Sequence, residues 1–148
     1  MAVAEPIQFG TDGWRAVIAE DFTFANVRRV AQAVAGYWRG EAAKKGAPLR
    51  AVVGYDRRFL SEKFAVAIAE VLAANGLQTI YAAADCPSPA VSYAVKDRSL
   101  VGGLMVTASH NSPEFNGIKI KADFAGPADS ELTREVEALV DREPPRRV

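Results

Sequence analysis

The sequence predicts an α/β protein, a three-layer α/β/α sandwich around a mostly parallel, mixed sheet of about four strands. Short apolar runs rich in β-branched residues alternate with longer stretches whose apolar residues recur at steps of three and four. Such alternation lays helices over both faces of a sheet. Polar segments rich in glycine or hydroxyls follow the apolar runs, at the strand ends where folds of this class bind their ligands.

In chain order, residues 24–44 come first, with Phe24, Val27, Val30, Ala31, Val34, Tyr37 and Trp38 on one helical face. Asp21 or Thr23 can cap this helix and Gly46 can end it. Ala51–Tyr55 reads as a buried strand running into the charged group Asp56-Arg57-Arg58. A second helix starts at Ser61 as its expected cap, buries Phe64, Ile68, Val71 and Leu72, and stops at Asn75-Gly76. Leu77–Ala82 follows as a strand, then a short helix at Ser88-Pro89, with Pro89 suited to a first helical position. Leu100–Val106 is a further strand. After a polar loop, Gly117–Ala122 alternates Ile118 and Ile120 with Lys119 and Lys121, the pattern of a half-exposed strand. Ser130–Asp141 closes the series as a helix with Leu132, Val136, Leu139 and Val140 inward.

No repeat, low-complexity tract or linker-like stretch interrupts residues 7–141. Residues 1–148 therefore read as a single domain with its core over about 7–141, and 142–148 as a linker. A chain of 148 residues buries roughly 70% of its unfolded surface, enough for a core without staples. The single Cys86 excludes an internal disulfide and any cysteine-rich zinc site, which makes the cytoplasm the expected compartment. No run approaches the roughly 18 apolar residues of a membrane span, so no membrane partner is expected. The N-terminus MAVAEPIQFG lacks the basic segment and apolar run of a secretory signal. Lys and Arg number 18 against 18 Asp and Glu, a balance that argues against nucleic acid. A small anion needs only a few local cations and stays within reach.

Three segments are candidates for chemistry. Val106–Pro113 is rich in hydroxyls and holds the only histidine, His110, beside Ser109. Serine is a poor nucleophile until a base or a cationic field activates it, and Lys119 and Lys121 follow closely. The same residues also suit an ordinary hydrogen-bonded turn. Phe9–Arg15 packs two glycines near a guanidinium, which suits an anion, though it equally suits a glycine-rich lead-in to the first helix. Gly54–Arg58 at a strand end is either a third anion contact or a solvated charge cluster. Neither a P-loop nor a G-x-S-x-G elbow occurs, which weighs against a serine hydrolase.

The set FGTDGWR, GYDRR, PSPAVSYAV and GGLMVTASHNSPEFNGIKI, in this order and spacing, resembles the first domain of the α-D-phosphohexomutases, the phosphoglucomutase/phosphomannomutase superfamily. The match runs from about Ile7 to about Val140. Two positions depart from it: Ser112 stands where proline is usual, and Ala16 where glycine is common. The resemblance implies that Ser109 is phosphorylated and passes a phosphoryl group to and from a hexose phosphate through a hexose 1,6-bisphosphate. His110 and Lys119 would steady the phosphoserine and assist proton transfer, and Arg15 would stabilise the phosphoryl group in flight. Thr11, Thr107, Asn111 and Arg58 would bind substrate or phosphate. Mg²⁺ would be held by the phosphate on Ser109 with carboxylates from a part of the enzyme that this sequence lacks, since the family's acidic D-x-D-x-D-R loop does not occur here.

Partners implied are thus the hexose phosphate and the missing domains of the same enzyme. The chain alone is expected to lack mutase turnover. The alternative is a non-catalytic module that binds phosphate or a phosphosugar. An apolar patch uncovered at a domain boundary also favours a weak homodimer. Light scattering across a concentration series should show mass rising with concentration, and a sharp monomer at high concentration would contradict it.

Overall fold

A computed structural model describes residues 6–10 and 13–148. In chain order the elements are β1 (Trp14–Val17), α1 (Phe24–Lys45), β2 (Arg50–Tyr55), α2 (Ser61–Ala74), β3 (Gln78–Tyr81), α3 (Ser88–Asp97), β4 (Gly102–Val106), β5 (Phe115–Lys121) and α4 (Ser130–Leu139). The strands form one sheet in the order β1-β5-β4-β2-β3. Here β2 pairs in parallel with β3 and β4, whereas β5 pairs antiparallel with β4 and β1. The sheet thus has five strands and an even mixture of pairings, where the sequence suggests about four and mostly parallel. The parallel pairs have helical crossovers between their strands. Only the loop after Val106 joins β4 to β5, and without a crossover the return must be antiparallel.

The layers are unequal. Helices α1, α2 and α4 pack on one face over a core that includes Val30, Val34, Phe64, Ile68, Leu104, Ile118 and Val136. On the other face α3 covers a smaller cluster of Val52, Val91, Val95, Leu100 and Met105. Strands β2 and β4 feed both clusters, with Ala51, Val53, Leu104 and Val106 on one side and Val52 and Met105 on the other. That is why they read as continuous apolar runs. No helix among the described residues is long and apolar enough to cross a membrane.

Local signals explain most helix ends. Thr23 caps α1 by accepting the Asn26 N–H at 3.1 Å, and Gly46 ends it in the left-handed conformation at φ 61°. Asp129 caps α4 by accepting from the Leu132 N–H at 2.9 Å. Ser61 differs from expectation. Leu60 occupies the cap of α2 at φ 63°, while Ser61 lies in the first turn and donates its hydroxyl to Asp56 at 2.7 Å. Pro89 stands one residue inside α3, after Pro87 at the cap and Ser88.

Strand β1 has no counterpart among the expected elements, and an aromatic cluster holds it. Trp14 stacks on Phe22 at 4.8 Å between centroids, and Phe22 meets Phe64 edge-on, also at 4.8 Å. Such pairs contribute beyond the area they bury. Residues of the expected linker lie along α1. Glu143 pairs with Arg39 at 3.1 Å, and the Arg146 N–H donates to Gln32 at 3.0 Å. Just before them, Asp141 accepts two bonds from Arg29, at 2.8 and 2.6 Å.

The Arg29 guanidinium holds the Asp141 carboxyl below its ordinary range, with burial opposing. A carboxylate with a lowered folded-state pKa adds stability above its ordinary pKa and loses it as pH falls through the folded value. Asp141 is half-exposed, so solvent screens the pair. Asp141→Asn should therefore cost about 0.5–1 kcal/mol in urea unfolding at pH 7. The difference should vanish as pH falls below the ordinary aspartate range.

Candidate active site

The loop from Thr107 to Glu114 leaves the carboxyl end of β4, between two strands that are buried almost throughout. Its shape is set by polar contacts from below. Asn116 is fully buried. It accepts the Gly117 N–H at 2.8 Å and donates to the Ser61 hydroxyl at 2.9 Å, and that hydroxyl donates onward to Asp56. Asp56 also accepts the Arg58 N–H at 2.9 Å. This buried chain joins the loop after β2 and the start of α2 to the first residues of β5.

Gly117 cannot carry a side chain. A Cβ there would lie 2.7 Å from the Thr107 carbonyl oxygen and 2.8 Å from Arg15 Cγ. Its bareness lets the loop return and Arg15 lie across the strand, opposite it in register. Gly13, at φ 112°, is equally required, since a Cβ would sit 2.3 Å from the Ile118 carbonyl oxygen. Ala16 lies within β1 and is not among the residues at positive φ, so its replacement of glycine is tolerated.

Within this frame Ser109 is exposed and has φ 54°, the left-handed region that residues with a side chain rarely adopt. Its N–H donates to Thr107 Oγ1 at 3.1 Å and its carbonyl accepts from Arg58 Nη2 at 2.8 Å. Thr107 is buried and acts on the loop backbone. His110 is exposed beside Ser109. Asn111 Oδ1 accepts from Arg15 Nη1 at 2.7 Å, which brings the glycine-rich segment and the serine loop together. Trp14 enters the core and Arg15, the next residue along β1, projects to the other face. Lys119 shares that face. Because Arg15 pairs with Gly117, Lys119 is its diagonal neighbour at roughly 7–8 Å between Cα atoms. Thr11, also expected here, lies outside the described residues.

Arg58, which the sequence reading groups with the phosphate ligands, donates to main-chain carbonyls of the serine loop. Nη1 donates to the carbonyls of Ser112 and Phe115 at 2.9 and 3.0 Å, and Nη2 to those of Ser109 and Asn111. Ser112, where the family resemblance expects proline, donates its hydroxyl to Glu114 at 2.8 Å. The Glu114 carboxyl is held below its ordinary pKa by its own backbone N–H first and by that hydroxyl second.

At the opposite end of the sheet a cleft of about 380 Å³ is lined by Glu41, Asp123, Asp129, Glu131 and Glu135 with Lys44 and Lys45. There the Tyr37 phenol is pushed up to about 12, by burial first and then by the surrounding carboxylates.

The family model for phosphoglucomutase/phosphomannomutase, α/β/α domain I, matches residues 6–147. The chain belongs to this family as its domain I. A phosphoglucosamine mutase of Picosynechococcus sp. is 38% identical over 132 residues, covering 88% of this chain and 26% of that protein. A phosphoglucosamine mutase of Synechococcus elongatus is 35% identical over 143 residues, covering 95% of this chain and 28% of its own length. A crystal structure from Thermus thermophilus, described as a phosphomannomutase, superposes with a TM-score of 0.89 at 39% identity, over 96% of this chain and 31% of that one. This phosphohexomutase domain thus spans about a quarter to a third of the relatives it matches.

The buried chain is testable without substrate. Asn116→Ala leaves the Ser61 hydroxyl and the Gly117 N–H short of a partner. It should lower the unfolding free energy by about 2–3 kcal/mol, measured by urea denaturation.

Proposed function

We propose that this domain supplies the phosphoryl carrier of a phosphohexomutase, with Ser109 as the residue that is phosphorylated. The observation that carries this reading is an exposed serine whose flanking peptide groups are both fixed, in the loop whose Asn111 contacts Arg15, while Lys119 shares a sheet face with that arginine. Ser109 Oγ attacks one phosphorus of a hexose 1,6-bisphosphate. The bond from that phosphorus to the sugar oxygen breaks, and the serine proton passes to the departing oxygen. In the reverse step the phosphoryl group goes to a sugar hydroxyl, so that attack at alternate ends moves phosphate between positions 1 and 6.

His110 beside the serine and Lys119 on β5 serve as the proton carriers, a task that a lysine in a cationic site suits. Arg15 offers charge-assisted donors to the phosphoryl oxygens during transfer. Thr107 and Asn111 serve the loop and Arg15 from behind. Family members that resemble this chain are named for phosphoglucosamine and phosphomannose, so the substrate class is a phosphohexose.

Magnesium fits this domain only in part. Among the described residues no group of three or more His, Cys, Asp or Glu could hold a metal ion. The nearby carboxylates Asp56 and Glu114 already accept from Ser61 and Ser112. What the loop offers is the oxygens of a phosphate on Ser109, and carboxylates from outside the described residues would complete the site. The ion would supply charge neutralisation to the moving phosphoryl group.

Intact mass after incubation with glucose 1,6-bisphosphate and Mg²⁺ tests this reading. A gain of one phosphate that is lost in Ser109→Ala is expected. Anion binding without any mass gain would favour the non-catalytic binding module instead.

A further inference from the structure

We infer that Arg58 is a positioning residue for Ser109, holding the serine in its left-handed backbone conformation by gripping loop carbonyls. A non-glycine residue persists in that region only where its surroundings over-determine it. Two contacts do so here. Thr107 Oγ1 accepts the N–H of Ser109, and Arg58 Nη2 donates to its carbonyl. Without the second, the peptide group after Ser109 could rotate toward the more common right-handed or extended regions.

The guanidinium does more than hold one carbonyl. Four carbonyls, of Ser109, Asn111, Ser112 and Phe115, converge on its two terminal nitrogens. Their dipoles repel one another when brought together, and a cation at the focus offsets that repulsion. A planar fork can address four acceptors at fixed angles, which a lysine ammonium with three rotating donors cannot. These contacts use every terminal N–H of Arg58, so none remains for a substrate phosphate.

The fork is itself held. Asp56 lies 3.6 Å from Arg58 Nε, accepts the Arg58 N–H, and is tied through Ser61 to Asn116. Only 14% of the Arg58 side chain is exposed. Its neighbour Arg57 is 87% exposed and pairs with Asp85 at 2.9 Å, away from the loop, which makes it a matched control.

The kinetic consequence rests on Ser109 being the phosphoryl carrier, whereas the loop geometry does not. The experiment therefore has two arms on the whole chain, comparing Arg58→Lys and Arg58→Met with Arg57→Lys. Amide hydrogen exchange across Thr107–Gly117 reads the loop. Mass spectrometry against glucose 1,6-bisphosphate concentration reads the rate of Ser109 phosphorylation and its half-saturation. Both Arg58 variants should speed exchange in the loop by about tenfold while exchange in α1 and β2 stays unchanged. The maximal rate should fall roughly 10- to 100-fold with little change in half-saturation. Unchanged loop exchange would overturn the inference, and so would a raised half-saturation at an unchanged maximal rate, the signature of a phosphate ligand. If Arg58→Met unfolds, Arg58→Lys, which keeps stem and charge, decides. If the wild-type chain takes no phosphate, the reading of Ser109 fails and the exchange arm alone decides the role of Arg58.

Discussion

The buried hydrogen-bond chain from Asp56 through Ser61 to Asn116 is the constraint on which the rest of the site depends. It links the loop after β2 and the first turn of α2, five residues apart, to the first residues of β5, which lie 55 residues further along the chain. Inside a protein such bonds are stronger than in water, and a broken one leaves a buried polar group unpaired. A half-formed version would therefore be worse than none. The chain fixes the orientation of Arg58, and through Arg58 it fixes the loop that carries Ser109.

The electrostatic arrangement follows from the same topology. Arg15, Arg58, His110 and Lys119 gather where β4 ends, while carboxylates line the cleft at the other end of the sheet. A chain with 18 basic and 18 acidic residues has no net charge to attract an anion. Whatever attraction it has for an anion must come from local groups of cations.

Much of the fold is legible in the sequence because its signals are periodic. The helical stripe of residues 24–44 and the two-sided apolar runs of β2 and β4 need no tertiary information to be recognised. Strand β1 escapes because Trp14–Val17 is four residues long and follows a glycine-rich segment that reads as a loop. What makes it a strand is distant, the pairing with β5 and the stacking of Trp14 on Phe22. The site divides in the same way. Ser109, His110, Lys119 and Arg15 stand out by motif and residue type. Arg58 stands out by its place at a strand end, but its partners are main-chain carbonyls 51 to 57 residues away, which no side-chain pattern encodes. Ser61 shows the converse. It has the chemistry of a helix cap, yet Asp56 and Asn116 claim its hydroxyl and leave the cap to Leu60.

The bonds from Arg58 address only the main chain of the serine loop. Every amino acid carries the carbonyl that Arg58 needs, so its grip on residues 109, 111, 112 and 115 does not depend on their side chains. Ser112 illustrates this freedom, since proline at that position would offer the same acceptor. A change of a solvent-facing side chain in this loop would thus leave the contacts of the guanidinium beneath it in place.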